Sequence, residues 1–193
     1  MTCRLSIACA LILISIAAAP AHAQNFVFGQ ATLTTGTTPV AVAQGDFNRD
    51  GVPDLAVSNS GSNTVSIFLS KPDGTYAAKT DYAVSTPGQI VTDDFNLDGK
   101  LDLAVAAGTS FAVLLGVGDG TFQNPLSQAI AATGLAVADF NRDGKLDLFV
   151  AGSASGLYLG NGDGTFTLSG ANLGSSPTST RPTSTVTESL TSC

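Results

Sequence analysis

The sequence predicts an all-β fold of propeller-like blades, each of four antiparallel strands, with about three blades forming a partial propeller. An acidic phrase recurs three times, as DFNRDGVPDLAV from Asp46, DFNLDGKLDLAV from Asp94 and DFNRDGKLDLFV from Asp139, at intervals of 48 and 45 residues. A turn sequence recurs in step with it, as PDGTY, GDGTF and GDGTF. No segment keeps a helical period, and strand-rich repeats of this length indicate propeller blades or a β-solenoid.

Residues 1–23 are predicted to be a signal peptide. Arg4 precedes an apolar stretch, and Ala21-His22-Ala23 fits a small-x-small cleavage site before Gln24. An uncleaved membrane anchor is the alternative, but the apolar stretch from Leu5 to Ala19 is shorter than the roughly 20 residues that a bilayer crossing needs. We therefore expect cleavage after Ala23 and a secreted or extracytoplasmic protein with no membrane span after signal removal.

Each repeat has the pattern of four short strands joined by tight turns. In the first repeat, apolar residues alternate with small or polar ones in PVAVAQGDF (39–47) and TVSIFLS (64–70). LAVSN (55–59) follows the acidic loop, and TYAAKTDYAV (75–84) supplies a weaker fourth strand. Asp-Gly between two alternating runs indicates a hairpin, because Gly tolerates the positive φ that the turn needs. Four such strands make one antiparallel blade.

The repeat domain is expected to occupy residues 24–173. Its blades are placed at about 39–86, 87–131 and 132–173, after a leading strand at 25–33. The segment 174–193 is rich in Ser and Thr, contains two prolines and cannot bury a core, so it is predicted to be a disordered tail. Composition leaves an O-glycosylated stalk open as an alternative.

The charge of the chain is acidic and local. The net charge is −7 at pH 7, although only 12% of the residues are charged, and nine of the fourteen Asp residues lie in the three acidic phrases. This pattern argues against nucleic acid or an anionic membrane surface as a partner. After residue 23 the chain has no His and a single Cys, Cys193, so no internal disulfide is expected to stabilise the fold.

The acidic phrases have the spacing of oxygen-ligated metal loops. Positions one, three, five and nine carry Asp, Asn, Asp and Asp, and position six is Gly. Alternate residues of a tightly turning backbone direct their oxygens to one centre, and Gly permits the bend that brings position nine back. With the backbone carbonyl of position seven they offer the hard oxygen ligands that Ca²⁺ prefers, whereas Zn²⁺ prefers His or Cys.

The loops have two alternative interpretations, an EF-hand and an Asx turn without an ion. An EF-hand needs a bidentate Glu at position twelve, where this chain has Val57, Val105 and Val150, and its loop leads into a helix rather than a strand. An Asx turn without an ion is the other alternative, because Asp, Asn and Gly are ordinary turn formers. Turn chemistry requires one or two such residues, however, and does not require the same five positions three times.

The motif Asp-Phe-Asn-x-Asp-Gly-x-x-Asp-Leu, followed in each repeat by Asp-Gly-Thr-Tyr or Asp-Gly-Thr-Phe, resembles the FG-GAP/VCBS repeat of integrin α-subunit propellers. The resemblance covers residue 25 to about 173. It implies a β-propeller with up to three structural Ca²⁺ ions, each in an acidic loop between the first two strands of a blade. The implied side-chain ligands are Asp46, Asn48, Asp50 and Asp54; Asp94, Asn96, Asp98 and Asp102; and Asp139, Asn141, Asp143 and Asp147. The implied backbone carbonyl ligands are those of Val52, Lys100 and Lys145.

The resemblance also implies protein binding or cell-surface adhesion as the function, with a protein or cell-surface ligand as partner. A non-catalytic or truncated part of a larger secreted hydrolase or other repeat protein is the alternative. Propellers need at least four blades and the family closes seven, whereas this chain supplies three. Self-association that completes a propeller is therefore a further expectation.

Two finer expectations concern the loops. The second loop is expected to bind its ion most tightly, because Asp93 adds charge beside Asp94, whereas the third loop carries Arg142 and Lys145. The aromatic residues at loop position two and at the end of each hairpin are expected to pack in the core. These residues are Phe47, Phe95 and Phe140, and Tyr76, Phe122 and Phe166.

No catalytic residues are predicted. The chain after residue 23 has no His, its only Glu is Glu188 in the tail, and its Asp residues outside loops and turns are Asp81 and Asp93. A Ser nucleophile would lack a His base, and a glycosidase needs two carboxylates that are not already metal ligands. The sequence therefore favours a binding module over an enzyme.

Overall fold

A computed structural model of the chain describes residues 33–169. The predicted signal peptide, the predicted tail and all of the predicted leading strand except Leu33 lie outside the described residues, and Leu33 itself is not in a strand. The described residues contain no helix with the length and apolarity of a membrane span.

Twelve strands form three four-stranded antiparallel sheets, which confirms the predicted all-β fold of four-stranded blades. In each sheet the strands are ordered as they occur in the chain. The first sheet consists of β1 (Pro39–Gly45), β2 (Asp54–Asn59), β3 (Thr64–Phe68) and β4 (Thr80–Ala83). The second consists of β5 (Ile90–Asp93), β6 (Asp102–Ala107), β7 (Ser110–Leu114) and β8 (Leu126–Gln128). The third consists of β9 (Gly134–Ala138), β10 (Asp147–Ala151), β11 (Gly156–Gly160) and β12 (Phe166–Leu168).

The second sheet is buried on both faces between the other two. Alternate side chains of a strand point to opposite faces, so Leu103 and Val105 of β6 pack against the first sheet, while Ala104 and Ala106 pack against the third. Every residue of β6 is buried. Because both of its faces are covered, this strand is continuously apolar from Leu103 to Ala107 and lacks the polar alternation of a half-exposed strand.

The core consists of two apolar clusters, one in each space between neighbouring sheets. The first cluster joins Val65 and Ile67 of the first sheet to Leu103 and Leu114 of the second. The second cluster joins Phe111 of the second sheet to Leu148, Val150 and Tyr158 of the third. The acidic loops connect the first two strands of each sheet, and Phe47 of the first loop and Phe95 of the second belong to these clusters.

Each acidic loop turns through the left-handed backbone region twice. Position six is Gly51, Gly99 or Gly144, with φ of 83°, 76° and 83°, as the sequence predicts. Position four also has a positive φ, at Arg49 (62°), Leu97 (61°) and Arg142 (63°). The sequence shows no sign of this second feature, since Arg and Leu are not residues that favour the left-handed region.

The core prediction for the aromatic residue at loop position two is correct for two copies and wrong for the third. Phe47 and Phe95 are 3% and 2% exposed, whereas Phe140 is 48% exposed. Phe47 packs against Phe122 at the hairpin of the second sheet, and Phe95 packs against Phe166 at the hairpin of the third. Phe140 belongs to the last sheet of the described residues, so no following hairpin among them covers it.

Candidate metal centres

The carboxylate at position one of each acidic loop accepts two hydrogen bonds from the loop's own backbone. Asp46 Oδ1 accepts from the Asp50 N–H at 3.0 Å, and Asp46 Oδ2 accepts from the Gly51 N–H at 2.9 Å. Asp94 and Asp139 make the same pair of hydrogen bonds in their loops. The side-chain oxygen at position three accepts from the position-five N–H in all three loops. The three loops therefore have the same local geometry.

The carboxylate at position five has a different neighbour in the second loop. Asp50 Oδ2 accepts from Asn48 Nδ2 at 2.9 Å, and Asp143 makes the equivalent bond with Asn141. Asp98 Oδ2 instead pairs with Lys100 Nζ at 2.8 Å, and this hydrogen bond holds the pKa of Asp98 below its usual value. Lys100 therefore offsets part of the negative charge for which the second loop is expected to bind its ion most tightly. The order of affinities itself stays a prediction.

The carboxylate at position nine is fully buried and joins the loop to a residue at, or just after, the end of the third strand of its sheet. Asp102 Oδ2 accepts from the Phe95 N–H at 2.9 Å, and its Oδ1 accepts from the Gly116 N–H at 2.7 Å. Asp54 and Asp147 accept from the equivalent pairs of backbone N–H groups, and all three side chains are 0% exposed. From the sequence, these residues are predicted only as metal ligands. Their hydrogen bonds to the second N–H group are not apparent there, because that donor follows the loop by many residues.

Burial raises the pKa of two of these position-nine carboxyls. The pKa of Asp102 rises to about 6, chiefly because burial disfavours the charged form, although the N–H groups of Gly116 and Phe95 partly offset this effect. The charges of Asp98 and Asp94 raise it further. Burial likewise raises the pKa of Asp54, with smaller contributions from Asp50 and Asp46. The carboxylates at positions one, five and nine are thus close enough to repel one another.

A hard cation suits this set of oxygens, although the loops are not arranged as finished coordination spheres. No group of three or more carboxylate, imidazole or thiolate side chains in residues 33–169 has the geometry of a ready-made metal site. The loop carboxylates are turned towards backbone N–H groups, but an oxygen that accepts one hydrogen bond keeps a second lone pair. Oxygen ligands with an excess of negative charge are those that Ca²⁺ prefers.

Models of one protein family match the three repeats. The FG-GAP repeat model matches residues 38–77, and the FG-GAP-like repeat model matches residues 94–150 and 139–187. These ranges contain all three acidic loops. The chain is an FG-GAP repeat protein. A comparison of its sequence with curated proteins finds no match.

The hairpin turns of these FG-GAP repeats use their Asp residues in a local bond. Asp73 Oδ1 accepts from both the N–H and the hydroxyl of Thr75, at 2.9 and 2.6 Å. Asp119 and Asp163 do the same with Thr121 and Thr165. The Thr hydroxyl lowers the pKa of each of these carboxyls. Asp73, Asp119 and Asp163 therefore stabilise their own hairpin turns through their charge. In this role they differ from the Asp residues of the acidic loops.

The two carboxylates outside loops and turns also have local partners. Asp81 forms an ion pair with Lys79 and accepts a hydrogen bond from the Ser66 hydroxyl. Asp93 Oδ1 accepts from the N–H of Asp94 at 3.0 Å. Each of the two carboxylates is therefore engaged by donors in its own surroundings.

Proposed function

We propose that this FG-GAP repeat protein is an exported, non-catalytic module that mediates protein binding or cell-surface adhesion, and that up to three structural Ca²⁺ ions stabilise its acidic loops. The repetition of one oxygen-rich loop geometry in three sheets supports the calcium part of the proposal. The family match supports the binding part, and the pattern of residues 1–23 supports export.

The ion would be held by the side chains at positions one, three, five and nine and by the carbonyl at position seven. Its charge would offset the repulsion among the three carboxylates, which the ion-free loop leaves to N–H groups of its backbone and side chains. Calcium binding and folding would then be coupled, because the unfolded chain does not hold these residues together.

Thermal unfolding in calcium and in chelator tests the structural ion. We expect calcium to raise the melting temperature, with a stabilisation of about 2.7 kcal/mol for each site when free Ca²⁺ is a hundredfold above its dissociation constant. Replacing Asp46, Asp94 and Asp139 together with Asn should abolish the calcium effect. The matched control replaces Asp73, Asp119 and Asp163 with Asn, which removes the same charge from the hairpins and should keep the calcium effect. An equal melting temperature in calcium and chelator would contradict the proposal.

Retention on cells tests the adhesive function. Beads coated with the protein should bind cells of the source organism in calcium and detach in chelator. Beads coated with the triple acidic-loop variant should not bind, whereas beads coated with the hairpin variant should. Equal retention of all three coatings would contradict an adhesive role that depends on the loops.

Export is tested separately from metal binding. The protein recovered outside the cytoplasm should have Gln24 as its first residue, which N-terminal sequencing or intact mass will show. A chain that keeps residues 1–23 would instead support the uncleaved anchor.

A further inference from the structure

The acidic loop of one sheet docks on the hairpin of the next sheet, and the described residues contain two such junctions. In the first junction the Gly120 N–H donates to the Phe47 carbonyl at 3.0 Å, and the rings of Phe47 and Phe122 lie edge to face at 5.3 Å. A Cβ added at Gly120 would lie 2.5 Å from Leu69 of the first sheet. The hairpin tip is therefore in close contact with the preceding sheet.

The second junction repeats these contacts with the equivalent residues. The Gly164 N–H donates to the Phe95 carbonyl at 3.3 Å, and the rings of Phe95 and Phe166 are 5.8 Å apart. A Cβ added at Gly164 would lie 2.6 Å from Leu115. Two independent pairs of sheets thus show which surface of one repeat fits which surface of the next.

The loop of the last sheet and the hairpin of the first sheet have no such partner among the described residues. At the last sheet, Phe140 is 48% exposed, although its equivalents Phe47 and Phe95 are buried. At the first sheet, a Cβ added at Gly74 would meet nothing within 4 Å, and the Gly74 N–H donates to Lys71 of its own hairpin. A groove of about 430 Å³, lined in part by Phe68, Tyr76 and Ala78, lies beside this hairpin.

The strand that faces the preceding sheet shows the same contrast. Ile90 and Leu135, which pair with Val105 and Val150, are 5% and 6% exposed. Val42 pairs with Val57 in the equivalent place of the first sheet and is 61% exposed. The first sheet therefore lacks apolar cover at the position where the second and third sheets have it.

We propose that a second copy of this chain completes the junction, with the loop around Phe140 of one copy docked on the hairpin at Gly74 of the other. The internal junctions supply the reason, because equivalent residues already bind each other twice within one chain. In the assembly, Phe140 fills the groove beside Tyr76, and the Gly74 N–H exchanges the Lys71 carbonyl for the Phe140 carbonyl, as the Gly120 and Gly164 N–H groups bind Phe47 and Phe95. The contact is head to tail, since each copy offers one half of the junction at each end, so assembly continues until a ring closes or a filament forms.

Solution mass measured by sedimentation velocity over a concentration series tests this contact. The wild-type protein, in calcium throughout, should show species of two or more chains. Phe140→Asp and Gly74→Asn should each give the mass of one chain. Gly74→Asn should fold normally, because the position is open and Asn tolerates positive φ. Circular dichroism melting will verify that both variants are folded.

Val117→Asn is the matched control for loss of exposed apolar surface. Val117 is 44% exposed in the second hairpin, away from both ends, and Asn161 occupies the equivalent place in the third hairpin. This variant should assemble as the wild type does. Assembly that is lost in Val117→Asn as well would contradict the assignment of the contact to the two ends.

Mixing the two single-chain variants distinguishes a head-to-tail contact from a symmetric one. Phe140→Asp keeps an intact hairpin at Gly74, and Gly74→Asn keeps an intact loop at Phe140, so an equimolar mixture should form a two-chain complex that does not grow further. A mixture that stays at one chain would overturn the head-to-tail arrangement. A wild-type protein with the mass of one chain at every concentration would overturn the proposal entirely, as would normal assembly of either variant.

Discussion

The buried aspartate at loop position nine shows how one residue type serves two purposes in the same motif. The carboxylate at position five is exposed, whereas Asp102 is 0% exposed and accepts hydrogen bonds from two backbone N–H groups, one before it and one after it in the chain. A buried N–H group left without an acceptor costs about 1–3 kcal/mol. Asp102 is therefore part of the structure of the sheet whether or not an ion is present.

Replacing Asp102 with Ala should destabilise the protein even without calcium. The substitution leaves the Phe95 and Gly116 N–H groups without an acceptor, and we expect the free energy of unfolding to fall by about 3 kcal/mol. Urea unfolding in chelator measures the loss. Asp98→Ala is the control, because Asp98 is exposed and its removal should cost about 0.5 kcal/mol or less. Equal losses for the two variants would argue against the structural role of Asp102.

At the scale of the element, the hairpin tip shows that identical turns differ in their surroundings. Gly74, Gly120 and Gly164 have φ of 80°, 87° and 82°, so each needs the left-handed conformation. Only Gly120 and Gly164 also lie against the preceding sheet, where Leu69 and Leu115 leave no space for a Cβ. The turn chemistry that the three hairpins share is local, whereas the need for a small residue depends on the neighbouring blade.

Gly120→Ala should therefore cost more stability than Gly74→Ala. Both substitutions strain the backbone by a similar amount, about 1–2 kcal/mol, because both glycines have positive φ. Gly120→Ala adds a clash with Leu69, which we expect to lower the free energy of unfolding by about 1–3 kcal/mol more. Chemical unfolding of both variants in a Phe140→Asp background excludes any contribution from association. Equal losses would contradict the close contact at the first junction.

At the scale of the whole molecule, the second sheet connects the other two. The first apolar cluster contains Leu103 and Val105, and the second contains Ala104 and Ala106 of the same strand. A change in the packing of one face of β6 therefore also alters the packing of the residues on its other face. This arrangement predicts that the three sheets unfold as one cooperative unit rather than one at a time.

Leu103→Ala should lower the stability of the third sheet although Leu103 does not pack against it. Removing this fully buried side chain should cost about 2–5 kcal/mol. Amide hydrogen exchange should show the same loss of protection in β10 as in β2. Val117→Ala, at an exposed turn position, is the control and should leave protection nearly unchanged. Unchanged exchange in β10 would mean that the sheets open independently.

Local features of the fold and the candidate site were open to prediction from sequence. The strands of each blade follow from alternating or continuous apolar runs between turns, and the glycines at loop position six and at each hairpin tip follow from the turns that need positive φ. Lys100 was present in the second loop, but only the structure shows that it pairs with Asp98 and does not extend into solvent. Long side chains can adopt many directions, so spacing alone does not identify their partners.

The sequence by itself determined the repeat, the all-β class, the number of strands in each blade and the oxygen-rich composition of the loops. These properties depend on residues that are near one another in the chain. The tertiary structure alone decided that Phe140 is exposed while Phe47 and Phe95 are buried, and that Asp54, Asp102 and Asp147 connect each loop to a residue at, or just after, the end of the third strand. Burial and long-range hydrogen bonds depend on which sheet lies alongside, and equivalent residues of a repeat have different neighbours at its ends than in its middle.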